Sequence, residues 1–66
     1  MTPILEMKLV VKHQKSLIYA ILRKQFGDDR ERWAKTLTHA IPIFEKDESY
    51  PAKIAATEIL EELKAQ

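Results

Sequence analysis

The single glycine of this chain, Gly27, is the feature that most limits what it can fold into. It stands directly after a stretch that holds neither glycine nor proline from Ile4 to Phe26, and directly before Asp28-Asp29. Glycine at the position after a helix accepts the left-handed conformation that ends many helices. The residue pair behind it offers carboxylates to the exposed amides, and to the positive dipole end, of a following helix. Gly27 therefore predicts a helix that stops near Phe26 and a second one capped by Asp28, with Glu31 reaching back as in a capping box.

The second helix shows apolar residues at Trp33, Leu37, Ala40, Ile41 and Phe44, a helical spacing. Pro42 lacks an amide and restricts Ile41, so it is expected to end or kink this helix. Glu45-Lys46-Asp47-Glu48 reads as a polar connection, with Ser49 as the cap of a third helix and Pro51 in its first turn. That helix puts Ala52, Ala55, Ala56, Ile59, Leu60 and Leu63 on one face and leaves Ile54 off the stripe. Lys8 to Lys12 contains adjacent valines and could form a short strand, but no other segment offers a sheet for it to join. One helix from Pro3 to Phe26 is the expected alternative.

The chain thus reads as all-α, a single helical domain over residues 1–66, built of three helices with a long one first. Only 66 residues are available, and a domain of that size buries just about 60% of its unfolded surface. With no cysteine, neither disulfides nor thiolate zinc sites can staple it. Good helix packing or oligomerisation is what remains. The first helix favours the second option. Ile4, Met7, Val10, Val11, Leu17, Ile18, Ile21 and Leu22 share an arc of roughly 140°, wider than the stripe of about 100° that an ordinary amphipathic helix presents. Association as a helical-bundle oligomer is expected, with Ile4, Met7, Val11, Ile18 and Ile21 as the candidate self-association face. Three heptads are too few to establish a coiled coil.

Charge is nearly balanced overall, at +1, but unevenly placed. Residues 1–27 carry five basic side chains against one acidic, while the remainder of the chain is mildly acidic. Lys8, Lys12, Lys15, Tyr19 and Arg23 fall within about 80° of one another on the first helix. This basic stripe contains no acidic residue and one aromatic, a pattern able to meet phosphates and stack on a base. A solvated helix face explains it more simply. A helix-turn-helix reader using the third helix is disfavoured, because Glu58, Glu61 and Glu62 would repel phosphates.

Signals for chemistry are few. His13 and His39 have no neighbours at ligand or triad spacing. The acidic run at Glu45-Asp47-Glu48 lacks the glycine and alternation of a calcium loop. Nucleophile elbows, phosphate-cradling glycine loops and dinucleotide fingerprints are missing. No enzymatic activity, cofactor or metal is expected. The longest apolar run, Leu17 to Leu22, is far short of the roughly 20 residues that cross a bilayer, and the first residues lack the apolar core of a signal peptide. The sequence thus points to a cytoplasmic protein without a membrane role. Trp33, Ile43, Phe44 and Tyr50 gather aromatic and apolar bulk around the Pro42 turn, a candidate partner corner. The reading that follows is a small helical regulator or adaptor that self-associates through its first helix, with another protein as a further candidate partner. Nucleic-acid binding through the basic stripe is the alternative.

Overall fold

A computed structural model describes residues 3–65, with side chains from residue 6 onward. Three α-helices run in chain order: α1 over Pro3–Phe26, α2 over Arg30–Lys46 and α3 over Tyr50–Ala65. The segment Lys8 to Lys12 is helical, so its valines extend α1 rather than form a strand. At 1.5 Å per residue α1 is about 36 Å long, close to the molecule's longest dimension of 39 Å.

The turn after α1 follows from Gly27. Its backbone sits at φ 61°, and its amide donates to the Arg23 carbonyl at 2.9 Å, the single-bond form of a left-handed helix cap. The reversal takes one residue more than the sequence suggests. Asp29, not Asp28, caps α2: the Asp29 amide donates to the Phe26 carbonyl at 3.2 Å, and its carboxylate accepts from the Arg32 amide at 3.3 Å. With the cap displaced, the residue in place to reach back is Arg32, whose guanidinium pairs with Asp29 at 3.3 Å. The expected box between Asp28 and Glu31 has no place in this geometry.

Pro42 does not end α2, which continues to Lys46 with the proline inside it. A proline there removes one amide donor, but the apolar residues on either side hold the helix together. Ile41 and Phe44 both pack against the central core, so stopping at residue 41 would withdraw Phe44 from it. The true end lies one turn later. Glu48 adopts φ 59°, its amide donates to the Glu45 carbonyl at 3.1 Å, and the Ser49 amide donates to the Phe44 carbonyl at 2.8 Å. This is a Schellman closure with glutamate in the left-handed position that glycine usually takes. Ser49 stands where predicted, just ahead of α3, its carbonyl accepting from the Lys53 amide at 3.0 Å.

The helices run up, down and up. α1 and α3 are parallel, since Lys15 and Tyr19 meet Glu62 while Met7 and Val11 line a groove with Ile54 and Glu58. α3 packs closely on both other helices, whereas α1 and α2 touch each other little. Leu22, Trp33, Leu37, Ala56 and Ile59 form the core, flanked by Ile18, Tyr19, Phe26, Ile41, Phe44, Leu60 and Leu63. Two alanines, Ala55 and Ala56, let α3 approach its neighbours closely and are fully buried. No described helix is long and apolar enough to cross a membrane.

Candidate interaction surface

The wide apolar arc of α1 is divided by the bundle into an inner and an outer part. Val11 and Leu22 are buried and Ile18 half-buried, all turned toward the other helices. Met7, Val10, Leu17 and Ile21 are exposed, Val10 at 43% and Ile21 at 59%. Of the expected self-association face, then, Met7 and Ile21 lie outside, while Val11 and Ile18 are taken up within the chain. The side chain of Ile4 lies outside the described residues.

The outer set has a regular pattern of its own. Met7, Val10, Gln14, Leu17 and Ile21 follow one another at spacings of three, four, three and four. On a helix these five fall within about 80° of arc, the seam that a coiled-coil helix presents to a partner. The sequence did hold this signal. It was obscured because the parallel series through Val11 and Ile18 has the same spacing, and only the position of α3 shows which series faces inward.

Beside the seam, α1 and α2 leave a shallow groove. Its lining is Ile18, Ile21, Leu22, Thr36, Leu37, Ala40 and Phe44, and its volume is about 140 Å³. Ile43, one turn on from Ala40 and on the same face of α2 as Thr36, is 58% exposed. The outer apolar surface is thus two helices wide. α3 seals the opposite side of the α1–α2 pair and leaves this one uncovered.

The basic stripe is less free than its sequence suggests. Lys15 Nζ lies 2.7 Å from Glu62 Oε1, and the Tyr19 hydroxyl donates to Glu62 Oε2 at 2.5 Å. The hydrogen bond to Glu62 raises the Lys15 pKa. Loss of solvent around the ring, and then its bond to Glu62, raise that of Tyr19. Glu62 responds in the opposite sense, its carboxyl lowered by Lys15 first and Tyr19 second. An acidic residue from α3 therefore occupies the middle of the stripe. Lys8 and Lys12 remain beside a larger groove of about 590 Å³ between α1 and α3, floored by Met7, Val11 and Ile54. Arg23 lies further along, near Asp28, Arg30 and Trp33.

The candidate corner around Pro42 does not gather in one place. Trp33 is buried in the first half of α2, its ring edge-on to Tyr19 with centroids 6.0 Å apart, and Arg30 lies 6.0 Å from the same ring. Its indole N–H is buried with no acceptor among the described residues. Phe44 is half-buried against the core, while Ile43 and Tyr50 are exposed. Ile43 joins the apolar surface described above, and Phe44 lines its groove. His13 and His39 are exposed, and no three metal-ligating side chains converge among the described residues.

Comparison with known proteins gives no guide beyond this geometry. No family model, characterised protein or solved structure matches the chain.

Proposed function

We propose that this protein is a small non-enzymatic interaction module, a helical regulator or adaptor, that self-associates through the outer face of α1. One observation carries the reading. Five residues of that face repeat at heptad spacing, four of them apolar and exposed: Met7, Val10, Leu17 and Ile21. Single exposed apolar residues are ordinary on any surface. A periodic row of them along one helix is the arrangement that helices bury against each other. The marginal core of a 66-residue chain adds a motive, since association supplies the buried surface that a small domain lacks.

Gln14 in the middle of the row fits the same reading. A polar side chain within an apolar seam lowers stability but selects register. The groove beside α2 widens the surface available to the second copy and brings in Ile43. Binding of nucleic acid through the basic stripe is weaker on this geometry, because Glu62 neutralises Lys15 where the stripe would touch phosphate.

The experiment is molar mass by light scattering over a concentration series, for the parent and for Leu17→Glu/Ile21→Glu. The parent is expected at twice the chain mass or more, and the variant at the mass of one folded chain. A parent that stays monomeric at high concentration would overturn the proposal. So would a double variant that assembles as the parent does.

A further inference from the structure

We infer that the occupant of the α1 seam is a second copy of this chain lying antiparallel, so that each Glu6 meets Lys24 of the other copy. The inference rests on the self-association proposed above and adds its geometry. Glu6 and Lys24 lie near opposite ends of α1 and on the same flank of the seam, at about the same angle around the helix. Both are exposed, and neither has an ion-pair partner among the described residues. In a parallel pair the two-fold axis runs along the helices and carries this flank of one copy to the opposite side of the interface in the other, so neither charge would meet its complement. Reversing one helix keeps the two flanks on one side, sets each Glu6 against Lys24 of the other copy and also opposes the two helix dipoles.

The apolar residues accept the same register. Aligning Val10 with Ile21 of the second copy sets Gln14 beside Leu17 and lays the Lys24 stem over Met7, with its ammonium near Glu6. Every residue of the seam then has a partner. The seam from Met7 to Ile21 covers about 21 Å of helix, and this register uses all of it.

A third argument comes from symmetry. The two-fold axis that relates antiparallel helices stands perpendicular to the plane of the pair, so it leaves both copies of α2 on one side. An axis running along parallel helices would place them on opposite sides. Ala40 and Phe44 line the groove with Ile18 and Ile21, which sets Ile43 at the level of Leu17, near the middle of the seam. In the antiparallel pair the two α1–α2 grooves therefore open toward each other. The exposed Ile43 side chains approach across the axis, and α1 and α2 of both copies close into a four-helix core. The parallel pair leaves Ile43 in water.

Single cysteines test the orientation directly, since the native chain has none. A disulfide needs Cα atoms within about 7 Å. Val10→Cys and Ile21→Cys chains are each oxidised alone and then as a mixture. Antiparallel pairing predicts disulfide-linked dimer in the mixture, joining position 10 of one chain to position 21 of the other. It predicts little from either variant alone, because equivalent positions are then separated by about 16 Å along the helix. Cross-linking of each variant by itself, with none specific to the mixture, would overturn the orientation and leave self-association intact. A monomeric parent would overturn both. A charge exchange gives an independent reading: Glu6→Lys should weaken the dimer about three- to tenfold, and Glu6→Lys/Lys24→Glu should restore it. A parallel dimer would be indifferent to all of these changes, and that indifference would count against the inference.

Discussion

The two faces of α1 have almost the same composition and very different surroundings. Ile18 and Leu22 on the inner face belong to a core that α3 closes with Ala56 and Ile59, and Val11 is buried nearer the start of the helix, where it shares a groove with Ile54. Val10, Leu17 and Ile21 on the outer face, one residue away in each case, stay exposed, Ile21 at the edge of the groove beside α2. The difference is set by α3, which lies along one side of the α1–α2 pair and leaves the other open. Hydrophobicity thus fails to distinguish a residue that holds the monomer together from one available to a partner. Position around the helix does distinguish them, and neighbouring residues can carry opposite roles.

The largest expected effect tests the inner face. Leu22 is 2% exposed, so Leu22→Ala should cost about 2–5 kcal/mol through lost burial and the cavity left behind. In a domain with so small a core that loss should unfold much of the population, read by circular dichroism during a thermal ramp. Leu17→Ala, measured at a concentration where the parent is monomeric, should change stability by about 0.5 kcal/mol or less. Equal losses for the two would show that the inner and outer faces are not distinct.

The second effect sharpens the same contrast from the outer side. If the outer face is buried only on association, stability should depend on protein concentration, because mass action favours the folded dimer. The melting temperature of the parent should rise over a hundredfold concentration range. That of Leu17→Glu should stay flat, since a carboxylate in the seam should weaken the dimer at least about a hundredfold, or about 2.7 kcal/mol. A parent whose melting temperature ignores concentration would leave the outer face without its proposed role.

The features that were legible in the sequence are local ones. Gly27 marked the end of α1, Ser49 marked the start of α3, and the periodicity of Ala55, Ala56 and Ile59 marked the buried face of α3. The errors arose where tertiary contact overrides a local rule. Pro42 is a helix breaker by its own chemistry, yet the anchoring of Ile41 and Phe44 carries α2 past it. Glu48 takes a left-handed conformation that nothing in its residue type announces. The division of the α1 arc depends on where α3 lies, and no periodicity within α1 contains that information. The same holds for Glu62, whose partners Lys15 and Tyr19 are more than forty positions away in the chain.

That polar tie is the smallest expected effect, and it has a defined dependence on pH. Glu62 has its folded pKa lowered, so its contribution is present above the ordinary value of 4.5 and is lost as pH falls through the folded value. Lys15 and Tyr19 have their folded values raised, so theirs are present below 10.5 and 10.0 and are lost as pH rises further. The tie should therefore act between about pH 5 and pH 10. Glu62→Gln removes the charge and keeps the shape. Because the carboxylate is solvent-exposed, the loss near pH 7 should be only about 0.5 kcal/mol and should shrink as salt is added. Chemical denaturation of parent and variant at pH 3 and pH 7 reads the effect, with a gap at neutral pH that narrows at the acidic end. A gap that persists unchanged at pH 3 would mean that Glu62 contributes through packing of its stem rather than through its charge. The α1–α3 contact would then be held by apolar contact alone.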